Sequence, residues 1–415
     1  MNIWIIDHYS SEPKYGGISR QYDFATGLSE RGHNIVVVSS AFSHFLHEYI
    51  TDDGILISEI CPKVHYAYLH TSSYETNKSP RRVLNMLSFK KAVEKNALSL
   101  SQKLGKPDVV VGCSIHPFTW LAAYHVARKF GSRFIAEVRD LWPATQIYNH
   151  GMSPHHPVAL LWGAIEKKTF DRAEKIIYSM SRGDKYICDI LGYPREKAIW
   201  IDQPMNCERF DKNALRYGEL PEEIRSFIGD SFLCVFTGYY MEYEGVYEML
   251  KAAKILKGRN IPVRFVFVGS GKEEQGMRSY VSDNNVDNVY VGGRISKELV
   301  PALLGRAQIC LAHLAVRGNP NSYKFDASKN KLTEYMYSDS CIIYGTYIEN
   351  HYVQTSGAGL TIEPYNAAAF ADAIEKVYRM PEEERRKYGL NAREHVLENN
   401  TLEKLTDKYV SILGK

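Results

Sequence analysis

The stretch from Asp326 to Glu334 concentrates lysine, asparagine and carboxylate side chains within nine residues. Lys329 and Lys331 flank Asn330, and either Asn330 or the serine before Lys329 can cap a helix that begins there. Backbone N–H groups at a helix start, together with a lysine, can bind a diphosphate without a metal ion. Glu334 lies about one turn into the helix, where its carboxylate can accept two vicinal hydroxyls, and Asp326 can accept hydroxyls of a sugar. The alternative is a solvated helix with ordinary alternating charges.

Two loops in the first half of the chain carry a second set of polar and aromatic side chains. Arg139, Asp140 and Trp142 directly follow an apolar run, and His116 holds the same place after the preceding run. Arginine can bind a carboxylate or phosphate through two parallel hydrogen bonds, aspartate can accept sugar hydroxyls, and tryptophan offers a stacking face. The structural alternatives are an Arg–Asp pair that closes the loop, a tryptophan in the core and a histidine that only supports the fold.

Several glycines also lie directly after apolar runs. Gly16 and Gly17 precede an amphipathic stretch, and Gly238, Gly269 and Gly271 occupy loops of the second half. Glycine lets the backbone approach a ligand closely, with N–H groups pointing at an anion. A turn of positive φ would require the same residue. The spacing is neither GxGxxG nor GxxxxGK(S/T), which disfavours an NAD site and excludes a Walker loop.

Other catalytic signatures are missing from the sequence. It contains no His-Glu-x-x-His, no Asp-x-Asp, no clustered Cys and His, and no Gly-x-Ser-x-Gly, so we expect no bound metal. The seven cysteines are widely spaced without a Cys-x-x-Cys pair, which predicts free thiols in a reducing compartment. No basic leader precedes the first apolar run and no apolar window reaches about 18 residues, so we predict a cytoplasmic protein.

The elements that must position these loops alternate regularly along the chain. Short apolar runs are typical of parallel strands buried on both faces, and amphipathic stretches between them of helices. This βαβα rhythm predicts two doubly wound α/β domains, whose ligands bind at the carboxyl ends of the strands. Strands are predicted at 3–8, 35–39, 64–69, 109–113, 134–138, 176–179, 199–201, 233–237, 265–268, 289–291, 309–312 and 342–344. Helices are predicted at 19–31, 83–104, 119–130, 165–172, 246–256, 273–284, 298–306, 332–337, 367–377, 382–399 and 402–413.

The domain boundary is predicted in a polar, proline-containing stretch at 204–223 that interrupts the rhythm. A chain of 415 residues is long enough for two or three domains. We predict an N-terminal domain at 1–205 and a C-terminal domain at 206–394, with a terminal helix at about 395–415 that packs back on the first domain.

Four segments give the chain a specific resemblance. They are the glycine loop and helix at 16–33, EVRDLWP at 137–143, FVGSG at 267–271 and NKLTEYM at 330–336. With these segments the chain resembles GT-B retaining glycosyltransferases of family 4, the glycosyl transferases group 1 class. It is most similar to the bacterial branch of N-acetyl-fucosamine transferase-like enzymes. The resemblance implies a GT-B fold, in which two doubly wound Rossmann-like domains face each other across a cleft.

The donor signature of that family is two glutamates with seven residues between them. Glu334 matches the second glutamate, which the resemblance implies binds the nucleotide ribose. Asp326 stands at the place of the first, so the carboxylate is kept on a shorter side chain.

The family also often places Arg and Lys after the first strand of the donor domain. Tyr239 and Glu244 occupy those places here. Neutralisation of a diphosphate must then come from elsewhere, and Lys331, Arg294 and helix N-termini are the candidates.

Loop position and the resemblance together define the predicted site. The predicted catalytic residues are Asp140, Arg139 and Asp326, and the predicted acceptor-binding residues are Gly16, His116 and Trp142. The predicted donor-binding residues are Gly17, Gly238, Tyr240, Gly269, Gly271, Arg294, Asn330, Lys331, Leu332 and Glu334.

The resemblance implies a retaining, metal-independent transfer of an N-acetylated or deoxy hexose from a UDP-sugar. The acceptor would be a glycan or a polyprenyl-diphosphate-linked glycan in O-antigen or capsule biosynthesis, and no cofactor or nucleic-acid partner is expected. Two alternatives stay open, a nucleotide-sugar 2-epimerase of GT-B fold and a non-catalytic nucleotide-sugar-binding subunit.

The charge pattern adds one candidate surface. The net charge is only +3, but segment 78–106 holds eight Lys or Arg residues against Glu94 alone. Apolar residues lie among these charges, so the segment could dock on an anionic inner-membrane surface. The alternative is a core-facing helix with a solvated basic face.

Overall fold

The computed structural model describes residues 1–16, 20–44, 46–52, 54–76 and 79–414. The chain forms two compact units. The first comprises Met1–Pro204, Phe325–Ser328 and Leu402–Lys415, and the second comprises Met205–Lys324 and Lys329–Thr401.

The first unit is built on an eight-stranded sheet. Its strands are β1 (Asn2–Ile6), β2 (Asn34–Ser40), β3 (Ile55–Cys61), β4 (Val64–Leu69), β5 (Val109–Ser114), β6 (Arg133–Val138), β7 (Lys175–Tyr178) and β8 (Ala198–Trp200). They lie in the order β3-β4-β2-β1-β5-β6-β7-β8. All neighbours pair in parallel except β3 and β4, which form an antiparallel edge.

The second unit contains a six-stranded sheet in which all neighbours are parallel. Its strands are β9 (Phe232–Tyr239), β10 (Val263–Ser270), β11 (Val289–Val291), β12 (Ile309–Leu314), β13 (Cys341–Thr346) and β14 (Gly359–Ile362). They lie in the order β11-β10-β9-β12-β13-β14. Both units therefore have the Rossmann-like α/β architecture that the sequence predicts.

Helices connect the strands and cover both sheets. The first unit holds α1 (Arg20–Glu30), α2 (Arg81–Leu104), α3 (Pro117–Phe130), α4 (Ala144–Tyr148), α5 (Pro157–Arg172) and α6 (Gly183–Ile187). The second holds α7 (Cys207–Ala214), α8 (Glu222–Ile228), α9 (Val246–Gly258), α10 (Glu274–Asp283), α11 (Val300–Leu304), α12 (Asn330–Tyr337), α13 (Tyr352–Thr355), α14 (Ala367–Arg379) and α15 (Glu382–Asn399). The chain ends in α16 (Leu402–Leu413), which belongs to the first unit.

Apolar side chains on both faces of each strand explain why both sheets are covered on two sides. In β1, Trp4 and Ile6 enter a cluster with Phe89 of α2, whereas Ile3 and Ile5 enter another with Phe24 of α1. Alternation of side chains along a strand sends successive residues to opposite faces. A strand whose every residue is apolar must therefore be buried on both faces.

Some elements differ from the predicted ones. Strand β3 is missing from the prediction because its residues are half-buried or exposed and mix polar with apolar types. Strand β14 is also missing, since it begins with a glycine and three of its four residues are only half-buried. The predicted helix at 298–306 is shorter and follows a single 3-10 turn at Lys297–Leu299.

Candidate functional site

Polar side chains of the second unit gather around the start of α12, beside the carboxyl end of β9. Tyr335 of α12 is buried, and its hydroxyl accepts from the backbone N–H of Thr237 at 2.7 Å. This bond ties α12 to β9. A Cβ atom on Gly238 would lie only 3.0 Å from Lys331 Nζ, so the glycine makes room for that lysine.

The cap of α12 differs from the predicted one. Lys329 is the N-cap residue, Asn330 is already helical, and no side chain caps this helix. Ser328 instead accepts a short hydrogen bond from the amide of Gln203. Capping by Asn330 or Ser328 is therefore wrong. Leu332 N–H donates to the Lys329 carbonyl at 3.1 Å, and no side chain caps the two N–H groups before it.

A buried group of ions, the Lys329–Glu244–Lys331 cluster, lies at the start of α12. Lys331 Nζ donates to Glu244 Oε2 at 2.6 Å, and Lys329 Nζ donates to Glu244 Oε1 at 3.1 Å. Lys329 Nζ also donates to the carbonyl of His313 at 2.8 Å. Two lysines against one glutamate leave a net positive charge of one.

The cluster shifts the titration of its members. Burial lowers the pKa of Lys331 to about 8, although Glu244 opposes this shift. Burial acts to raise the pKa of Glu244, but Lys329 and Lys331 outweigh it, so that pKa lies below its ordinary value. A lone carboxylate at the position of Glu244 would repel a diphosphate. The two lysines reverse that local charge.

Glu334 is the second acidic group at this edge. Its side chain is 19% exposed, and Lys297 Nζ lies 2.5 Å from Oε1 and 2.7 Å from Oε2. Each carboxylate oxygen has a second lone pair, so Glu334 can still accept hydroxyl groups. Lys297 is missing from the predicted site because it lies on a different loop, 37 residues away in sequence.

The other predicted donor residues divide into exposed and buried groups. Arg294 is exposed on the loop after β11, and its Nε donates to Ser270 Oγ at 2.7 Å. Tyr240 is fully buried and donates through its hydroxyl to the Gly292 carbonyl at 2.7 Å. The Tyr240 side chain therefore supports the loop instead of facing a ligand. Leu332 is likewise buried.

Close packing of backbone against backbone within the second unit explains two of its glycines. A Cβ atom on Gly269 would lie 1.8 Å from the carbonyl oxygen of Gly238, and one on Gly271 would lie 2.3 Å from that of Tyr240. The loops after β9 and β10 thus pack backbone against backbone. This contact requires glycine whether or not a ligand also approaches.

Asp326 is part of the first unit, whereas Glu334 is part of the second. Asp326 Oδ2 accepts from Ser181 Oγ at 2.5 Å, and Oδ1 accepts from the backbone N–H of Ala327 at 2.8 Å. Its backbone has a φ of 67°, a left-handed conformation that aspartate tolerates better than most residues. These contacts give Asp326 a structural role in its loop, in addition to the catalytic role predicted from the sequence.

The loop after β6 begins at a buried polar network that the predicted site does not include. Arg20 is fully buried, and its Nε donates to Glu137 Oε1 at 2.7 Å. Its two other nitrogens donate to the carbonyls of Ile201 and Asp202 at 2.9 and 2.5 Å. Glu137 lies inside an apolar run, and a buried glutamate requires a partner. This feature of the sequence could have predicted the network.

Arg139 and Asp140 follow this network at the carboxyl end of β6. Two guanidinium nitrogens of Arg139, Nε and Nη1, are buried and have no hydrogen-bond partner among the described residues. Asp140 is exposed. The surrounding protein nevertheless removes water from its carboxyl group and raises its pKa, although the positive charges of Arg139 and Arg82 act to lower it. Buried donors without a partner are typical of a site that awaits a ligand.

His116 forms a buried pair with another histidine. His8 Nδ1 and His116 Nε2 are 2.6 Å apart, and the His8 ring stacks on Phe89 with centroids 4.2 Å apart. Burial lowers the pKa of His116 to about 3, so the ring is neutral near pH 7. At 1% exposure, the His116 side chain matches the structural alternative more closely than the predicted acceptor contact.

The remaining acceptor-side residues lie in two loops. Trp142 packs against Trp162 with ring centroids 4.6 Å apart, and its Nε1 is buried with no partner in the described part of the chain. Gly16 ends a short 3-10 turn with a φ of 69°. Gly17 lies outside the described residues.

Helix α2 contains most of the predicted basic segment, apart from Lys78, which lies outside the described residues. Its residues Phe89, Val93 and Ala97 are buried, whereas Val83 and Leu84 are exposed. Most of its apolar face therefore covers the sheet. In the residues that the structure describes, no helix is long and apolar enough to span a membrane.

No group of three His, Cys, Asp or Glu side chains among the described residues is arranged to hold a metal ion. All seven cysteines are free.

Comparison with known proteins gives two family matches. Residues 15–209 match the model "Glycosyltransferase Family 4", and residues 222–395 match "Glycosyl transferases group 1". Together the two matches cover most of both units. No curated protein sequence matches the chain.

Solved structures show the same two-domain GT-B fold. Sucrose-phosphate synthase from Thermosynechococcus elongatus aligns over 99% of this chain and 98% of its own, with 16% identity and a TM-score of 0.72. HepE from Anabaena, solved in complex with UDP, aligns over 100% and 99%, with 13% identity and a TM-score of 0.67. WaaG, described as a glycosyltransferase involved in lipopolysaccharide biosynthesis, aligns over 100% of both chains, with 14% identity and a TM-score of 0.68.

Proposed function

Since this chain belongs to the GT-B glycosyltransferases of the group 1 family, we propose that it transfers a hexose from a UDP-sugar. We further propose that transfer retains the anomeric configuration and needs no metal ion. The donor class is supported by a fold neighbour that was solved with UDP.

The Lys329–Glu244–Lys331 cluster is the observation that carries this proposal. Its excess positive charge lies at the start of α12, next to backbone N–H groups that no side chain caps. Both features favour a bound diphosphate. As the glycosidic bond breaks, negative charge develops on the leaving diphosphate, and preorganised positive groups stabilise it. The lysines thereby supply what a metal ion supplies in other transferases.

The remaining donor contacts are assigned to the same edge of the second sheet. Glu334 accepts the ribose hydroxyls, and Lys297 holds its carboxylate in place. Arg294 is exposed nearby in sequence, three residues before Lys297, and adds positive charge for the phosphates.

In the first unit, Arg139 and Asp140 are assigned to the acceptor. The unpartnered nitrogens of Arg139 would bind an anionic or hydroxyl oxygen, and Asp140 would orient the attacking hydroxyl. In a retaining reaction at the front face, the leaving diphosphate takes the proton of that hydroxyl.

The finer assignment follows the resemblance of the sequence. We propose an N-acetylated or deoxy hexose as the sugar and a glycan or polyprenyl-diphosphate-linked glycan as the acceptor, in surface polysaccharide biosynthesis. The fold neighbour WaaG acts in lipopolysaccharide biosynthesis, which supports this setting. A cytoplasmic protein that works at the inner membrane surface would have access to such acceptors.

The test is incubation of the purified protein with a panel of UDP-sugars, with and without a lipid-diphosphate sugar, in EDTA. We expect acceptor-dependent release of UDP. Product formed without acceptor would identify an epimerase instead, and UDP binding without turnover would identify a binding subunit.

The donor assignment is tested by Glu334→Ala. We expect a loss of about 2 kcal/mol in UDP binding, or roughly 30-fold, because hydrogen bonds to a charged group are lost. Glu298→Ala, at the exposed residue that follows Lys297 in sequence, is the matched control. Wild-type transfer by a folded Glu334→Ala protein would contradict the assignment.

A further inference from the structure

A cavity of about 600 Å³ lies in the first unit, and its lining includes none of the residues assigned to transfer. It lies against α5 and the turn after α6, and Pro143 forms part of its wall. A volume of this size is typical of small-molecule sites in proteins. All the lining residues belong to one compact unit.

The wall and the mouth of this cavity are largely apolar. Leu160 and Leu191 line it and are 58% and 37% exposed, and their chain neighbours Leu161 and Ile190 are 54% and 52% exposed. These four make up a third of the twelve large apolar side chains that are exposed in the described residues. Leu160 and Leu191 line the opening of the cavity, and exposed apolar side chains gathered on a surface mark interaction sites.

The polar groups at the rim are already paired with one another. Lys167 donates to Asp171 at 2.8 Å, and the hydroxyl of Tyr193 donates to the same carboxylate at 2.8 Å. These charges therefore neutralise each other at the surface. They leave no excess charge at the rim to select an ionic ligand.

Glu166 is the one buried carboxyl group among the lining residues. Glu166 is 2% exposed, and its Oε2 accepts from the hydroxyl of Tyr186 at 2.8 Å. Its Oε1 is buried and has no hydrogen-bond partner among the residues that the structure describes. Burial raises the pKa of Glu166 well above its ordinary value, which favours the protonated form of this carboxyl group. A neutral acid can donate its proton to one oxygen of a ligand.

We propose that this cavity binds a hydrocarbon chain that carries one neutral oxygen, with the chain along Leu160 and Leu191 and the oxygen on Glu166. A fatty alcohol or the acyl ester of a membrane lipid has this chemistry. The lining includes none of the residues assigned to transfer, and the test of this proposal does not depend on that reaction.

Gly163 is the position at which a substitution can fill the cavity. Gly163 lies in α5 and lines the cavity, and a Cβ atom there would meet only Pro143, at 3.9 Å. Leucine at this position would occupy the space of the ligand. Gly258→Leu, at an exposed glycine of α9 with no atom near its Cβ position, is the matched control.

The first experiment titrates the full-length protein with monomeric 1-alkanols from hexanol to decanol. Trp142 and Trp162 pack together beside two lining residues, Pro143 and Gly163, so tryptophan fluorescence should report occupancy. We expect one saturable site whose affinity rises about fourfold with each added methylene. Gly163→Leu should abolish the signal, while Gly258→Leu should retain it.

The second experiment tests the polar contact and the source of the chain. Glu166→Leu should weaken 1-decanol binding by about fivefold, through loss of one hydrogen bond. Capture on phosphatidylcholine vesicles that Gly163→Leu prevents would assign the chain to a membrane lipid, whereas decanol binding without capture would assign it to a free amphiphile. Unchanged decanol binding by folded Gly163→Leu, or affinity independent of chain length, would overturn the proposal.

Discussion

At the residue scale, the charge available to a diphosphate depends on Lys329, Glu244 and Lys331 acting together. Glu244 stands where the family often has lysine, yet it is buried between two lysines that reverse its sign. Removing any one of the three changes the charge that a ligand would meet. The shifted pKa of Lys331 gives a way to titrate that charge without mutation.

We predict that UDP binding weakens as the pH rises above 8. The pKa of Lys331 is lowered to about 8, so the residue is charged below that pH and neutral above it. At pH 9 the affinity for UDP should be lower than at pH 7 by up to about tenfold. Isothermal titration at both pH values measures this difference.

Lys331→Met tests whether Lys331 causes the pH dependence of UDP binding. It should already bind UDP more weakly at pH 7, by about 2 kcal/mol, because a charged hydrogen bond is lost. Its affinity should then change little between pH 7 and 9. Lys331→Arg keeps its charge and should also lose the pH dependence, while binding better than the methionine variant. Equal pH profiles in all three proteins would contradict the assignment.

At the element scale, Arg20 connects the start of α1 to the ends of β6 and β8. Its guanidinium bonds Glu137 of β6 and the carbonyls of Ile201 and Asp202, directly after β8. Gln21 adds a bond from its amide to Glu137 Oε2 at 2.9 Å. The loop that carries Arg139 and Asp140 begins two residues after Glu137. The network therefore fixes where that loop leaves the sheet.

We predict that Glu137→Leu destabilises the first unit by about 3–5 kcal/mol, because it leaves a buried guanidinium unpaired. The double variant Arg20→Met, Glu137→Leu should regain most of that loss, since a buried ion pair can be replaced by apolar groups at little cost. Urea unfolding followed by tryptophan fluorescence measures the first unit alone, because all five tryptophans precede residue 205. If the double variant is no more stable than Glu137→Leu, the prediction is wrong, and the Arg20–Glu137 ion pair itself stabilises the fold.

At the scale of the whole molecule, the chain passes through the second unit and returns to the first. Helix α16 packs on α1 through Tyr409 and Phe24, whose ring centroids are 5.1 Å apart. Arg31 adds an ion pair to Asp407 at 2.7 Å. The last helix is therefore a structural part of the first unit, although the second unit separates them in sequence.

We predict that Tyr409→Ala destabilises the first unit by about 3–5 kcal/mol, through the cavity that the fully buried ring would leave. Tyr409→Phe should cost little, because the buried hydroxyl has no hydrogen-bond partner in the described residues. Tryptophan fluorescence during urea unfolding again measures the first unit. A similar loss in both variants would assign the effect to the hydroxyl instead of the ring.

The fold class, the two α/β halves and the site loops after strands could be predicted from the sequence, because burial on both faces imposes uninterrupted apolar runs. Residues within one helix or strand have fixed spacing, so the place of Glu334 in α12 also follows from the sequence. The partners of the charges were decided only by the tertiary structure. Lys331 pairs with Glu244 across 87 residues of sequence, and Glu334 meets Lys297 from another loop. Electrostatic energy depends on distance in space, which sequence spacing does not determine between elements.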